Sequence, residues 1–113
     1  MNAGYQQTGP LQTIVETIVE MAHPERVVLF GSRARGTEEP GSDYDFLVVV
    51  RGVRNERDIS RRIYRALLAK KVDAAVDLVV VGAKTLQRQK DNPFYVYRRA
   101  LLEGQVCYDR RGV

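Results

Sequence analysis

The chain has one cysteine, Cys107, and one histidine, His23. A lone cysteine excludes an internal disulfide framework and any multi-cysteine metal centre. With a single histidine beside it, a zinc site built from Cys and His ligands is excluded as well. Long apolar runs are also missing. Phe46 to Val50 and Leu78 to Val81 are among the longest, far short of the ~20 residues a membrane helix needs. The N-terminus lacks a basic start followed by an apolar stretch and a small-residue cleavage site. No signal peptide is therefore expected, and the cytoplasm is the default compartment. There is no internal repeat, low-complexity tract or dividing linker. Residues 1–113 are expected to form one domain, with the polar first ten residues loose.

What remains is ordinary globular material. Hydrophobic residues make up 44% and charged residues 28%, which sets the chain apart from disordered sequences. Eighteen basic residues face 14 acidic ones, a net charge of +4. That mild surplus suits a polyanion such as a nucleotide. It suits a solvated surface equally well, because net charge speaks to solubility and not to a site.

Leu11, Ile14, Val15, Ile18, Val19 and Ala22 recur at helical spacing. They predict an amphipathic helix with Pro10 near its first turn, stopped by Pro24. Arg26 to Phe30 is β-branched and apolar and reads as a buried strand ending at Gly31-Ser32. Residues 33 to 42 read as a loop, with room for a short helical turn after Ser32. A second strand is expected over Asp43 to Val50, a helix over about Glu56 to Lys71, and a third strand over Ala75 to Val81. A short helix over Lys84 to Lys90 and a last one over Tyr95 to Glu103 follow. Gly104 is the stop of that last helix, and Val106 to Tyr108 form a short edge strand. This order predicts a small α/β fold, a mixed β-sheet covered by helices. The link between the first two strands is too short for a comfortable helical crossover, so they should be antiparallel.

Asp43 and Asp45 sit two apart on a predicted strand, so their side chains share one face, roughly 6–7 Å apart along the backbone. Like charges on a strand face are costly unless something positive joins them. Asp77 stands inside the apolar run Ala75 to Val81, where strand propensity disfavours it. Three converging strand carboxylates would form a hard oxygen cage suited to Mg²⁺. Gly31 follows the first strand directly and lets the backbone approach a phosphate, while the Ser32 hydroxyl and adjacent amides can donate to it. Arg33 and Arg35 lie just past that turn, where guanidinium groups can hold phosphate oxygens. Elsewhere, His23 reads as a helix C-terminal residue and Cys107 as a small buried apolar one. Phe94, Tyr95 and Tyr97 read as core packing beneath the charged face of Arg98 and Arg99.

Leu29-Phe30-Gly31-Ser32, a ten-residue spacer, Asp43-Tyr44-Asp45-Phe46 and a later strand carboxylate, Asp77, together resemble the signature of the DNA polymerase β-type nucleotidyltransferases. From about Val27 to Tyr108 the chain is similar to the minimal nucleotidyltransferases of that superfamily. The tail Arg99 to Tyr108 also looks typical of the group. The resemblance implies a polymerase β-like nucleotidyltransferase fold. It implies that Gly31 and Ser32 hold a nucleoside triphosphate, most simply ATP, with Arg33 and Arg35 neutralising the leaving pyrophosphate. Asp43 and Asp45 would ligate two Mg²⁺ ions. Asp77 would complete one metal site and help deprotonate the attacking hydroxyl. Such proteins often serve as antitoxins to a helical partner of the HEPN class, and some transfer AMP from ATP to a tyrosine of it. At Glu38-Glu39-Pro40 the chain departs from the antitoxin form that carries out transfer, which often has a second arginine further along this loop. The implied function is Mg²⁺-dependent nucleotidyl transfer to a partner hydroxyl. The alternative is a binding module that neutralises its partner by occlusion. A nucleic-acid end as direct substrate is disfavoured, because no strong basic stripe stands out.

Overall fold

The computed structural model describes residues 9–52 and 55–112. The expectation of a loose start lies, for residues 1–8, outside the described residues. Gly9 and Pro10 belong to helix α1, Gly9–Ala22. A proline in a first turn gives up an N–H that the helix leaves unpaired anyway. Strand β1 (Arg26–Phe30) follows, then the one-turn helix α2 (Ser32–Arg35) and strand β2 (Tyr44–Val50). Helix α3 (Glu56–Ala69), strand β3 (Val76–Gly82), helices α4 (Ala83–Gln89) and α5 (Val96–Glu103), and strand β4 (Gln105–Asp109) complete the chain. Asn55 starts α3 by accepting from the N–H groups of Arg57 and Asp58 at 3.1 and 3.3 Å, a side-chain N-cap. Lys71, with φ 55°, ends it shorter than the periodicity predicts.

The four strands form one sheet in the order β3-β2-β1-β4. β1 runs antiparallel to both β2 and β4, and β2 runs parallel to β3. The mixed α/β sheet is thus as expected, including the antiparallel first pair. A parallel pair needs a long connection, and α3 supplies it.

Alternation divides the strand side chains between two apolar layers. Val27, Leu29, Phe46, Val48 and Val50 meet Ile14 and Ile18 of α1 and Ile63 and Leu67 of α3. On the other face, Val28, Phe30, Leu47, Val49 and Val81 meet Leu86 of α4 and Ala100 of α5. The two helices of the first layer are also tied by polar groups. Lys70 Nζ donates to the buried Thr17 hydroxyl at 3.0 Å and to Glu20 at 3.3 Å. Gly104 serves a purpose that the sequence pattern does not reveal. A Cβ there would collide with Val28 and with the Ala100 carbonyl, so its smallness lets the α5–β4 turn lie flat on β1.

β3 is an edge strand. Two of its amides are met by side chains of α3: Leu78 N–H donates to the Tyr64 hydroxyl (2.9 Å) and Gly82 N–H to Glu56 Oε2 (2.8 Å). Phe94 and Tyr95 correct the core expectation, being exposed at 92% and 48%. They sit in the turn before α5, which leaves their rings outside both layers. Among the described residues, no helix is long and apolar enough to cross a membrane.

Candidate active site

The end of β1 and the starts of β2 and β3 meet at one end of the sheet. Phe30 of β1 pairs with Asp45 of β2, and Asp45 pairs in register with Asp77 of β3. Neighbouring strands lie ~4.8 Å apart, so these two carboxylates leave the sheet side by side. Alternation sends Asp45 to the face of Leu47 and Val49, and Asp77 to that of Val79 and Val81. Both therefore stand on the α5 side. Asp43 lies one residue ahead of β2, in the loop rather than in the strand, and keeps the two-residue spacing to Asp45. Asp43 and Asp77 are exposed and Asp45 is partly buried.

Gly31 adopts φ 78°, ψ −159° between β1 and α2. This region is essentially reserved for glycine. The missing side chain also makes room, because a Cβ on Gly31 would collide with the Asp45 carboxylate, whose Cγ would be 3.3 Å away. The β1–α2 turn and Asp45 are therefore packed against each other. Ser32 is the first residue of α2. Its hydroxyl makes no hydrogen bond among the described residues.

The two predicted phosphate-gripping arginines part company. Arg33 turns towards the loop: its Nε donates to the Ser42 carbonyl at 3.0 Å, and its guanidinium lies 4.1 Å from the Tyr44 ring centroid. It braces the chain on both sides of Asp43. Arg35 reaches across to α5 and donates to Glu103 Oε1 at 3.1 Å. Arg99, one turn before Glu103, approaches the same oxygen at 4.0 Å. Gln105 adds a bond from its Nε2 to the Ala34 carbonyl at 3.2 Å, so α2 is stitched to the α5–β4 turn.

Burial, and next the charges of Asp77 and Asp43, push the Asp45 carboxyl above the usual carboxylate range; Arg99 and Arg35 pull it back. Sequence reasoning missed Arg99 and Glu103 as neighbours of the carboxylates. The available signal was their i, i+4 spacing, which puts them on one helix face.

The chemistry of the donor set suits a divalent ion. All three side chains are carboxylates, the hard oxygen donors that Mg²⁺ takes. The charge crowding that raises Asp45 is the field a cation would relieve. As they stand, no three Asp, Glu, His or Cys side chains among the described residues are gathered closely enough to enclose an ion. The residues fit the group in chemistry and in strand register, without forming a closed cage.

A family model described as a nucleotidyltransferase domain matches residues 11–107. No curated protein matches the chain. Solved structures that share its fold include the following two. One is a toxin–antitoxin crystal structure with AMP-PNP, at 20% identity and a TM-score of 0.56, covering 88% of this chain and 74% of that one. The other is a Sulfolobus solfataricus protein proposed to be a nucleotidyltransferase. It has 22% identity and a TM-score of 0.51, and the match covers 96% and 95% of the two chains.

Proposed function

This chain belongs to the nucleotidyltransferase domain family, and on that premise we propose that it transfers AMP from ATP to a hydroxyl of a partner protein. The observation that carries this reading is the side-by-side exit of Asp45 and Asp77 next to the glycine turn at Gly31. Phosphoryl-type transfer depends mainly on positioning and charge stabilisation. The features at this end of the sheet that support the reading are the glycine turn packed against Asp45 and the carboxylates suited to divalent ions. Asp43, Asp45 and Asp77 would hold Mg²⁺, which when bound lowers the charge barrier between nucleotide and acceptor.

The chain's own residues do the rest. Gly31 and the Ser32 hydroxyl receive phosphate oxygens. Arg35, steadied by Glu103, faces the leaving pyrophosphate. Arg33 acts through the loop, holding Ser42 and Tyr44 and so aiming Asp43. The acceptor oxygen attacks the α-phosphorus and forms the new P–O bond. The bond to pyrophosphate breaks, and the hydroxyl proton passes to Asp77. The toxin–antitoxin neighbour with AMP-PNP supports a partner-directed role. A helical HEPN-class toxin with an acceptor tyrosine is the partner we favour, which would make this chain its antitoxin.

One observation favours a second reading, occlusion without chemistry: the carboxylates are not closed into a cage as they stand. Partner activity measured with wild-type protein plus ATP and Mg²⁺, with wild-type protein alone, and with Asp77→Asn plus ATP separates the two. Inhibition and label transfer from α-labelled ATP in the first arm only support transfer. Equal inhibition in all three arms supports occlusion.

A further inference from the structure

The opposite end of the sheet holds a second polar assembly, built where β1 begins and β2 and β4 end. Arg26 pairs in register with Val49 of β2 and Asp109 of β4. The Arg110 N–H donates to the Glu25 carbonyl at 2.9 Å, which fastens the end of β4 to the start of β1. These segments border an open cavity of about 410 Å³ lined by Glu25, Arg26, Arg51, Asp109, Arg110 and Arg111. Ligand sites typically span ~300–1,000 Å³. Phe30, at the carboxylate end, is four residues along β1 from Arg26, or ~13 Å at strand rise.

Two acids preset two of the arginines. Asp109 is almost fully buried, at 5% exposed. It accepts from the Arg111 backbone N–H at 2.9 Å and from that residue's Nε and Nη2 at 3.3 Å each. Glu25 pairs with Arg51 Nε at 3.0 Å. Arg26 and Arg110 form no short ion pair among the described residues, although the Arg26 charge also helps to hold the Asp109 carboxyl down. Four guanidinium groups against two carboxylates leave a surplus of two positive charges, half of the whole chain's +4. A cluster serving only to close the sheet end would be expected to balance. Every cation in the lining is an arginine, whose flat, pre-organised fork matches phosphate oxygens in pairs.

We infer that this arginine-lined cavity is a second anion site, recognising a phosphate-bearing ligand at the far end of the sheet from the carboxylates. Its phosphates could come from a free polyphosphate or from an RNA backbone. The test uses the whole chain, with inorganic tripolyphosphate and a short single-stranded RNA as probes, in the presence of a divalent-ion chelator. Without metal, the Asp43–Asp45–Asp77 end repels polyanions, so the binding that remains reports the arginines. Wild-type protein should bind, and Arg26→Gln/Arg110→Gln should weaken binding at least ~10-fold, because charged bidentate contacts are the strong ones. Arg110→Gln alone, at an exposed position after β4, should weaken it in the same direction and guards against loss of fold in the double variant. Tighter RNA binding that falls steeply with salt assigns the site to a nucleic-acid backbone. Tripolyphosphate binding as tight as RNA assigns it to free polyphosphate. No binding of either probe, or variants that bind as well as wild type, overturns the inference.

Discussion

Replacing Gly31 by alanine tests whether the glycine turn and Asp45 act as one device. The backbone at φ 78°, ψ −159° costs a non-glycine residue ~1–3 kcal/mol. Alanine regains ~0.4–1 kcal/mol by restricting the unfolded chain. The net loss is therefore up to about 2.6 kcal/mol before any collision is counted. The new Cβ also overlaps the Asp45 carboxylate, which must swing away. Unfolding entropy for a chain of this length is ~0.24 kcal/mol/K, so a 2 kcal/mol loss lowers Tm by ~8 °C. Gly36→Ala is the matched control. It too has a positive φ, 74°, at the end of α2, but nothing lies within 4 Å of its would-be Cβ. It should lose ~1 kcal/mol and ~4 °C from backbone strain alone. The activities should then diverge more than the stabilities do. A displacement of ~1 Å in a positioned group can cost ~100-fold in rate, so Gly31→Ala should lose nucleotidyl transfer on that scale while Gly36→Ala keeps it. The assay is a thermal melt beside transfer from labelled ATP, run well below both melting temperatures. If Gly31→Ala transfers as fast as Gly36→Ala, the contact with Asp45 has no bearing on function and the reasoning fails.

Asp45→Asn should abolish transfer, by more than ~100-fold if a metal ligand is worth several kcal/mol, yet raise Tm at neutral pH. Because burial and the neighbouring carboxylates lift this carboxyl above its ordinary value, the native state is penalised once Asp45 ionises. Wild-type stability falls as pH rises through the window between the two values, so the variant's gain should vanish in acid and appear above that window in melts against pH. Asp109 has the opposite sign: its hydrogen bonds with Arg111 hold its carboxyl below the ordinary range. Its contribution is complete above the ordinary carboxylate value and is lost as pH falls towards its depressed one, and Asp109→Asn should remove that part of the acid sensitivity. The Cys107 thiol is buried and pushed up to about 11 by that burial. Alkylation at pH 8 followed by mass spectrometry should label it only in denaturant, since the thiolate is the reactive form.

Local patterns carried most of the fold. The run Arg26 to Phe30 has no reading other than a buried strand, and the observed strand has those bounds. The short link after it determined the antiparallel pairing. The placement of β4 beside β1, at the far edge from β3, was not legible, because it depends on contacts between residues far apart in sequence. For the candidate site, the Asp-x-Asp spacing and the isolated Asp77 were visible because charges interrupt apolar strands. Arg99 and Glu103 were not, because on a helix surface a charge aimed at a site reads the same as a solvated one. The direction of Arg33 was not legible for a related reason: sequence gives proximity to the turn but not the way in which a long side chain folds back.

The two α3 side chains that meet the outer amides of β3 also bear on the fate of the whole molecule at high concentration. Val76 to Val81 is rich in β-branched residues, and such a segment with an open edge invites strands from other copies to add to it. Tyr64 and Glu56 occupy the Leu78 and Gly82 donors, so an incoming strand would have to displace both before it could zip along that side. Asp77 adds a charge near the start of the same run. The sheet is thereby given a fixed width. The same carboxylate that we propose for the chemistry would also act as a gatekeeper against self-templating growth.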